Sequence, residues 1–487
     1  MASDPSPKTA HIAYLDVGEL QDRLSSGALT SVGLVEALVQ RIADLDRPDS
    51  PTALRSVIAV SERALAEAEE SDRRRALSSD NLALEGIPVL VKDNIEVNGL
   101  PSSAGSTSLL ERPPASDAPL VTRLRQAGAV ILGTTNLSEW ANIRSPRSTG
   151  GWSAVGGLTA NPWALDRNAG GSSSGSGAAL AAGLAPLTIG TETDGSICCP
   201  CSLNGVAGIK PTVGAVPTAG VVPISPSQDS PGPMGRTAAD VRLLLDVLTG
   251  AAEPSGEPPP LSSIRVVVAT TWRTGHPTTD SLFEETVERI RSLGLPTVDV
   301  APAGPTGEAK KDESTVLLCE LKDALDLYLP TRGPGGPQTL AEVVAYEDGH
   351  ADVELAWFGH ELFEQALALG GRDGEAYRDA RRRNLSWALD TVLEPALACA
   401  DVLVAPYMGP AWKSDLLLGG HPASASPATM APAVAGWPIA CVPMGLAAGL
   451  PVGLTIIGRP GSERTILAVA AAVEVPSRPT WTPPTRS

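Results

Sequence analysis

Aromatic residues make up only 3% of the 487 positions, and the chain holds 5 histidines and 6 cysteines. The core must therefore be filled by Ala, Val, Leu and Ile. So few cysteines in a chain this long do not make a disulfide scaffold. His11, His276, His350, His360 and His421 form neither an HExxH motif nor a pair at metal-ligand spacing, which argues against a zinc hydrolase. Basic residues are also short: 37 Lys and Arg against 55 Asp and Glu leave a net charge of −18. Such a chain is poorly matched to a phosphate backbone, so nucleic acid is not an expected partner.

A long membrane-spanning run is missing too. The longest uncharged stretch, Leu416 to Gly458, is interrupted by Pro422, Pro427, Pro432, Pro438, Pro443 and Pro451. It reads as short buried strands joined by loops, with no membrane association expected. The opening MASDPSPKTAHIAYLD lacks the basic-then-apolar pattern of a secretory signal. A reducing, cytoplasmic setting is the expectation.

What the chain does have is 43% hydrophobic and 19% charged residues, a globular balance. Its length allows two or three domains, although large α/β enzymes often remain one. Apolar residues at helical spacing follow Thr30 and predict a helix over 31–46. SVIAV (56–60), GIPVLVKDNI (86–95), AVILGT (129–134) and LTIGT (187–191) read as strands, with helices at 118–127, near 136–142 and at 178–184. Thr237 to Asp240 reads as a capping box. RVVVAT (265–270), DVLVAP (401–406), PIACVPM (438–444) and PVGLTIIG (451–458) add further strands. Alternation of this kind predicts an α/β sheet. Between about 252 and 400 the composition shifts toward proline clusters (258–260) and charged helices (374–394), which suggests an insertion or cap.

The segment 148–177 reads as a Gly/Ser-rich loop ending in GGSSSGSG. It is not a Walker loop, because Ser176 stands where a Lys is required. Gly171 to Gly175 formally match the GxSxG nucleophile elbow, a pattern that arises easily by chance in such a run. A second serine, Ser196, lies 24 residues beyond Ser172 in T-D-G-S. Lys92 ends the apolar run VLV, where burial could lower its pKa. Work as a base near pH 7 requires a differential effect of about 4 kcal/mol. The plainer reading of Lys92 is a snorkelling lysine paired with Asp93 or another carboxylate. Cys198, Cys199 and Cys201 lack a fourth ligand at recognisable spacing and read as small residues packing a helix start.

Taken together, GIPVLVKDNI, GGSSSGSG and GTETDGSICCP followed by NGVAGIKPT resemble the amidase signature family, closest to its bacterial peptide amidase branch. The resemblance spans roughly 15–250 and 400–475 and is most specific over 161–212. It implies an amidase-signature α/β/α fold with a large mixed twisted sheet flanked by helices. That single domain would cover 1–487, with a signature core at about 80–250, a variable region at about 252–400 and core strands at about 401–475. By the same resemblance Ser196 is the nucleophile, Ser172 a bridging serine on a cis peptide after Gly171, and Lys92 the general base. The backbone N–H groups of Thr193, Asp194, Gly195 and Ser196 would form the oxyanion hole. No metal or other cofactor is implied. The loop 144–153, with Trp152, would help to shape the substrate pocket, although a structural role for Trp152 is equally open.

Two departures stand out. Asp194-Gly195-Ser196 replaces the common Gly-Gly-Ser, and Cys198 occupies a position where many members carry Arg. The expected partner is a peptide or small-molecule amide, met by a monomer or homodimer. The same acyl-enzyme could instead serve an amide synthase or N-acyltransferase with an amine acceptor, or the amidase-type component of a tRNA-dependent amidotransferase. A non-catalytic binding protein is opposed by intact Lys92, Ser172 and Ser196.

Overall fold

A computed structural model describes residues 12–46, 50, 52–77, 82–250, 259–422 and 424–475. The chain start, His11 and Pro258 lie outside them. Eleven strands hydrogen-bond into one sheet: β1 (Val57–Val60), β2 (Pro88–Lys92), β3 (Val130–Thr135), β4 (Leu187–Glu192), β5 (Ala207–Lys210), β6 (Ser230–Gly235), β7 (Val266–Ala269), β8 (Thr297–Val300), β9 (Val402–Pro406), β10 (Ile439–Ala447) and β11 (Leu450–Gly458). Their spatial order is β1-β3-β2-β4-β6-β5-β10-β11-β9-β7-β8. β2 runs parallel to β3 and β4, and β7 runs parallel to β8 and β9. The central β6, β5, β10 and β11 pair antiparallel with their neighbours. The sheet is therefore mixed, as the resemblance implies.

β2, β3 and β4 are buried along their whole length. Helices cover both faces of strands of this kind, which is why PVLVK and LTIGTE are nearly continuous apolar runs. Thr30 caps the helix Ser31–Leu45, and Thr237 with Asp240 forms the anticipated capping box.

The Ala-rich helix begins at Ser174, four residues before the predicted start. Glycine and serine have poor helix propensity, so the run reads as a loop. Packing overrides that preference. A β-carbon on Gly175 would stand 2.3 Å from the Ser56 carbonyl oxygen, and one on Gly177 would stand 2.9 Å from Asn204 Nδ2. The helix predicted near 136–142 is instead a short 3₁₀ turn, Glu139–Asn142, with Trp140 and Ala141 in left-handed conformations. Trp140 N–H donates to the Ala104 carbonyl, and its indole N–H donates to Glu347. These fixed partners replace a regular helical ladder. The predicted insertion also divides in the structure: β7 and β8 join the sheet edge, and the helices from Gly307 onward leave it.

Candidate active site

β2 and β4 are adjacent and parallel, so their ends deliver Lys92 and Thr191 to the same place. Lys92 is fully buried. Its Nζ lies 2.8 Å from Thr191 Oγ1, 3.3 Å from the Thr191 carbonyl oxygen and 2.7 Å from Ser172 Oγ. Desolvation brings its pKa down to about 7, against the pull of Asp229 and Glu192. Removal from water disfavours the charged ammonium, and nearby carboxylates only partly offset that effect. The snorkelling alternative for Lys92 is thereby set aside, since the amine stays inside the protein.

Ser172 is 1% exposed and follows a cis peptide bond from Gly171. The Ser172 carbonyl accepts from Ser138 N–H at 3.0 Å, and Ser138 Oγ accepts from Gly151 N–H at 2.9 Å. The neighbouring Ser173 N–H donates to the Ser196 carbonyl at 3.1 Å, tying the Gly/Ser segment to the loop after β4. The Ser196 side chain is partly exposed, and its hydroxyl has no hydrogen-bond partner among the described residues. The structure thus brings Lys92 and Ser172 into contact and joins Ser196 to them through the main chain.

The loop carrying Ser196 is held from several sides. Thr193 Oγ1 donates to Asp229 Oδ1 at 2.6 Å. Glu192 Oε2 accepts from the N–H groups of Ile197 at 2.6 Å and Cys198 at 2.8 Å. The N–H groups of Asp194, Gly195 and Ser196 have no acceptor among the described residues. Gly195 has φ +75°, a conformation costly for any residue with a β-carbon. Burial raises the Asp229 carboxyl to about 6, although Thr193 and the N–H groups of Ile224 and Ser225 stabilise its charge.

Ser173, the middle serine of the GxSxG match, donates to the Thr191 carbonyl at 3.1 Å and accepts from Thr191 N–H at 3.2 Å. The described histidines are engaged elsewhere: His276 caps a helix, His360 bonds Glu347, and His350 and His421 bond nearby carbonyls. The nucleophile-elbow reading therefore fails. Cys198, Cys199 and Cys201 are buried at the start of the Cys198–Asn204 helix, where desolvation pushes each thiol pKa up. They serve as packing residues, in line with the plainer reading.

Trp152 stands apart from this group. It is 5% exposed and packs edge-on against Phe358, with ring centroids 5.0 Å apart. The Arg144 guanidinium lies 5.6 Å from its ring and 2.6 Å from Glu139. Thr191, Asp229, Glu192 and Tyr407 escape the sequence reading. Thr191 was within reach, because it lies at the end of the strand beside Lys92. Tyr407 follows the last residue of β9, and nothing local in the sequence marks it.

Residues 33–467 match the family model described as Amidase. The chain belongs to the amidase signature family. Among solved structures it is similar to a peptide amidase in complex with the competitive inhibitor chymostatin, at 41% identity and TM-score 0.89, covering 96% of this chain and 98% of that one. Among curated relatives, the mandelamide hydrolase of Pseudomonas putida is 32% identical over 95% of this chain and 92% of its own length. A glutamyl-tRNA(Gln) amidotransferase component from Symbiobacterium thermophilum is 32% identical over 94% and 96%. This amidase is thus a hydrolase of amides with a peptide-amidase-like fold. No helix among its described residues is long and apolar enough to cross a membrane.

Proposed function

We propose that this amidase hydrolyses carboxamides, peptide C-terminal amides foremost, through an acyl-enzyme on Ser196. The supporting observation is the 2.7 Å contact between Ser172 Oγ and a buried lysine whose pKa is brought down to about 7. A neutral amine at that distance can take the Ser172 proton, and Ser172 in turn takes the Ser196 proton as its oxygen attacks the substrate carbonyl. The unpartnered N–H groups of Asp194, Gly195 and Ser196 suit the developing oxyanion. A donor of this kind contributes about 3–4 kcal/mol in comparable sites. The relay then returns a proton to the leaving ammonia or amine, and water attacks the acyl-enzyme by the same route. We assign Trp152 a structural role, since its ring is buried against Phe358 and Arg144.

The peptide amidase likeness at 41% identity, in a structure that holds chymostatin, supports a peptide-like acyl group. The amidotransferase reading has the lower identity of 32%. The test is ammonia release from a panel of peptide, aryl and aliphatic primary amides, with Ser196→Ala as the blank. Release from peptide amides that disappears in the variant supports the proposal. Ammonia release that depends on an added amine, with the acyl group recovered on that amine and not as the free acid, would favour the synthase reading.

A further inference from the structure

The loop that carries Ser196 also carries a carboxyl group that the proposed relay does not use. The Asp194 Oδ1 is buried without a hydrogen-bond partner among the described residues. A second carboxyl, Glu313, comes from the Gly307–Tyr328 helix and accepts from Gln228 Nε2 at 3.3 Å. Gln228 is fully buried, and the Oε1 of the same carboxamide has no partner among the described residues. The Thr193 to Asp229 bond joins the residue before Asp194 to the residue after Gln228, which places Asp194, Gln228 and Glu313 in one neighbourhood.

This locality has acceptors in excess. Neither Asp194 nor Glu313 is ion-paired with any lysine, arginine or histidine among the described residues. The buried cation that acts on Asp194, Lys210, is committed to the Trp437 carbonyl at 2.9 Å. The two carboxyls repel one another, and burial raises both from their ordinary values. A positive ligand would supply the missing donors and relieve the repulsion at once.

We propose that Asp194, Gln228 and Glu313 form a subsite beside Ser196 for a cationic group on the acyl part of the substrate, an alkylammonium or guanidinium. The subsite deepens the proposed amidase reading and rests on it for the position of Ser196. It divides labour between the two elements. Asp194 is anchored to the loop of the proposed chemistry, and Glu313 belongs to the helical layer outside the sheet.

The test compares N-acetyl-lysinamide with N-acetyl-norleucinamide, which lacks the ammonium. Binding to the Ser196→Ala protein, measured by calorimetry, reads the subsite without turnover. The lysinamide should bind at least 10-fold more tightly, and adding Glu313→Gln or Gln228→Leu should remove most of that difference. Equal binding of the two amides overturns the subsite, as does a preference that survives both substitutions. Ammonia release by the unaltered protein is scored separately. A binding preference with no release from either amide leaves the subsite standing and counts against the amidase reading. Release from both amides with no preference does the reverse.

Discussion

The Tyr407 hydroxyl stands 2.8 Å from where a β-carbon on Gly195 would lie. Gly195 is therefore required twice, by its φ of +75° and by the phenol over its α-carbon. Gly195→Ala should lower kcat at least 100-fold with the fold retained, read by steady-state kinetics beside circular dichroism. Adding Tyr407→Phe removes the clashing oxygen but not the backbone strain, so the double variant should recover only part of the loss.

The pH profile should report Lys92. Its pKa is about 7, and only the neutral amine can accept a proton. The rate kcat/KM should therefore fall about tenfold per pH unit below that value. Thr191→Val removes an acceptor 2.8 Å from Nζ that favours the charged form. Loss of that bond makes the ammonium less stable, so the acid limb should move to lower pH by about one unit.

Ser172→Ala interrupts the proposed relay without removing the nucleophile. Loss of general-base assistance predicts a fall in kcat of about 10²–10⁴-fold. KM should change little, because the Ser172 hydroxyl is 2.7 Å from Lys92 and its residue is 1% exposed. A large rise in KM with kcat preserved would overturn its place in the relay.

The cluster beneath Trp152 predicts a stability effect. Arg144 is buried with Glu139 at 2.6 Å, Glu354 at 3.8 Å and Glu347 at 3.9 Å. Arg144→Met leaves the carboxyls without their guanidinium and should cost about 3–5 kcal/mol in denaturant unfolding. Burial already raises the Glu139 pKa well above its ordinary value. A raised acid pKa costs stability as pH climbs from the unfolded value toward the folded one. Glu139→Gln should therefore be tolerated far better at pH 8 than Arg144→Met.

Most of the sheet was legible because β2, β3 and β4 are apolar on both faces and bounded by turn residues. Lys92 was legible as a candidate because it closes such a run, yet its protonation state depends on burial that a sequence does not display. The helix at Ser174 was hidden because its glycines serve neighbours distant in the chain, Ser56 and Asn204. The turn at Glu139 was hidden because it answers to Glu347 and Arg144. The Tyr407–Gly195 approach was beyond reach, since two residues so far apart in sequence leave no local trace of meeting.

Five of the six cysteines are buried, and Cys399 alone is exposed. Its carbonyl bonds Arg265 at the far edge of the sheet, well removed in the chain from Lys92, Ser172 and Ser196. A maleimide dye offered to the native protein would thus meet one thiol per molecule. That gives a ready-made attachment point for immobilisation or fluorescence, with no cysteine to be engineered in or out.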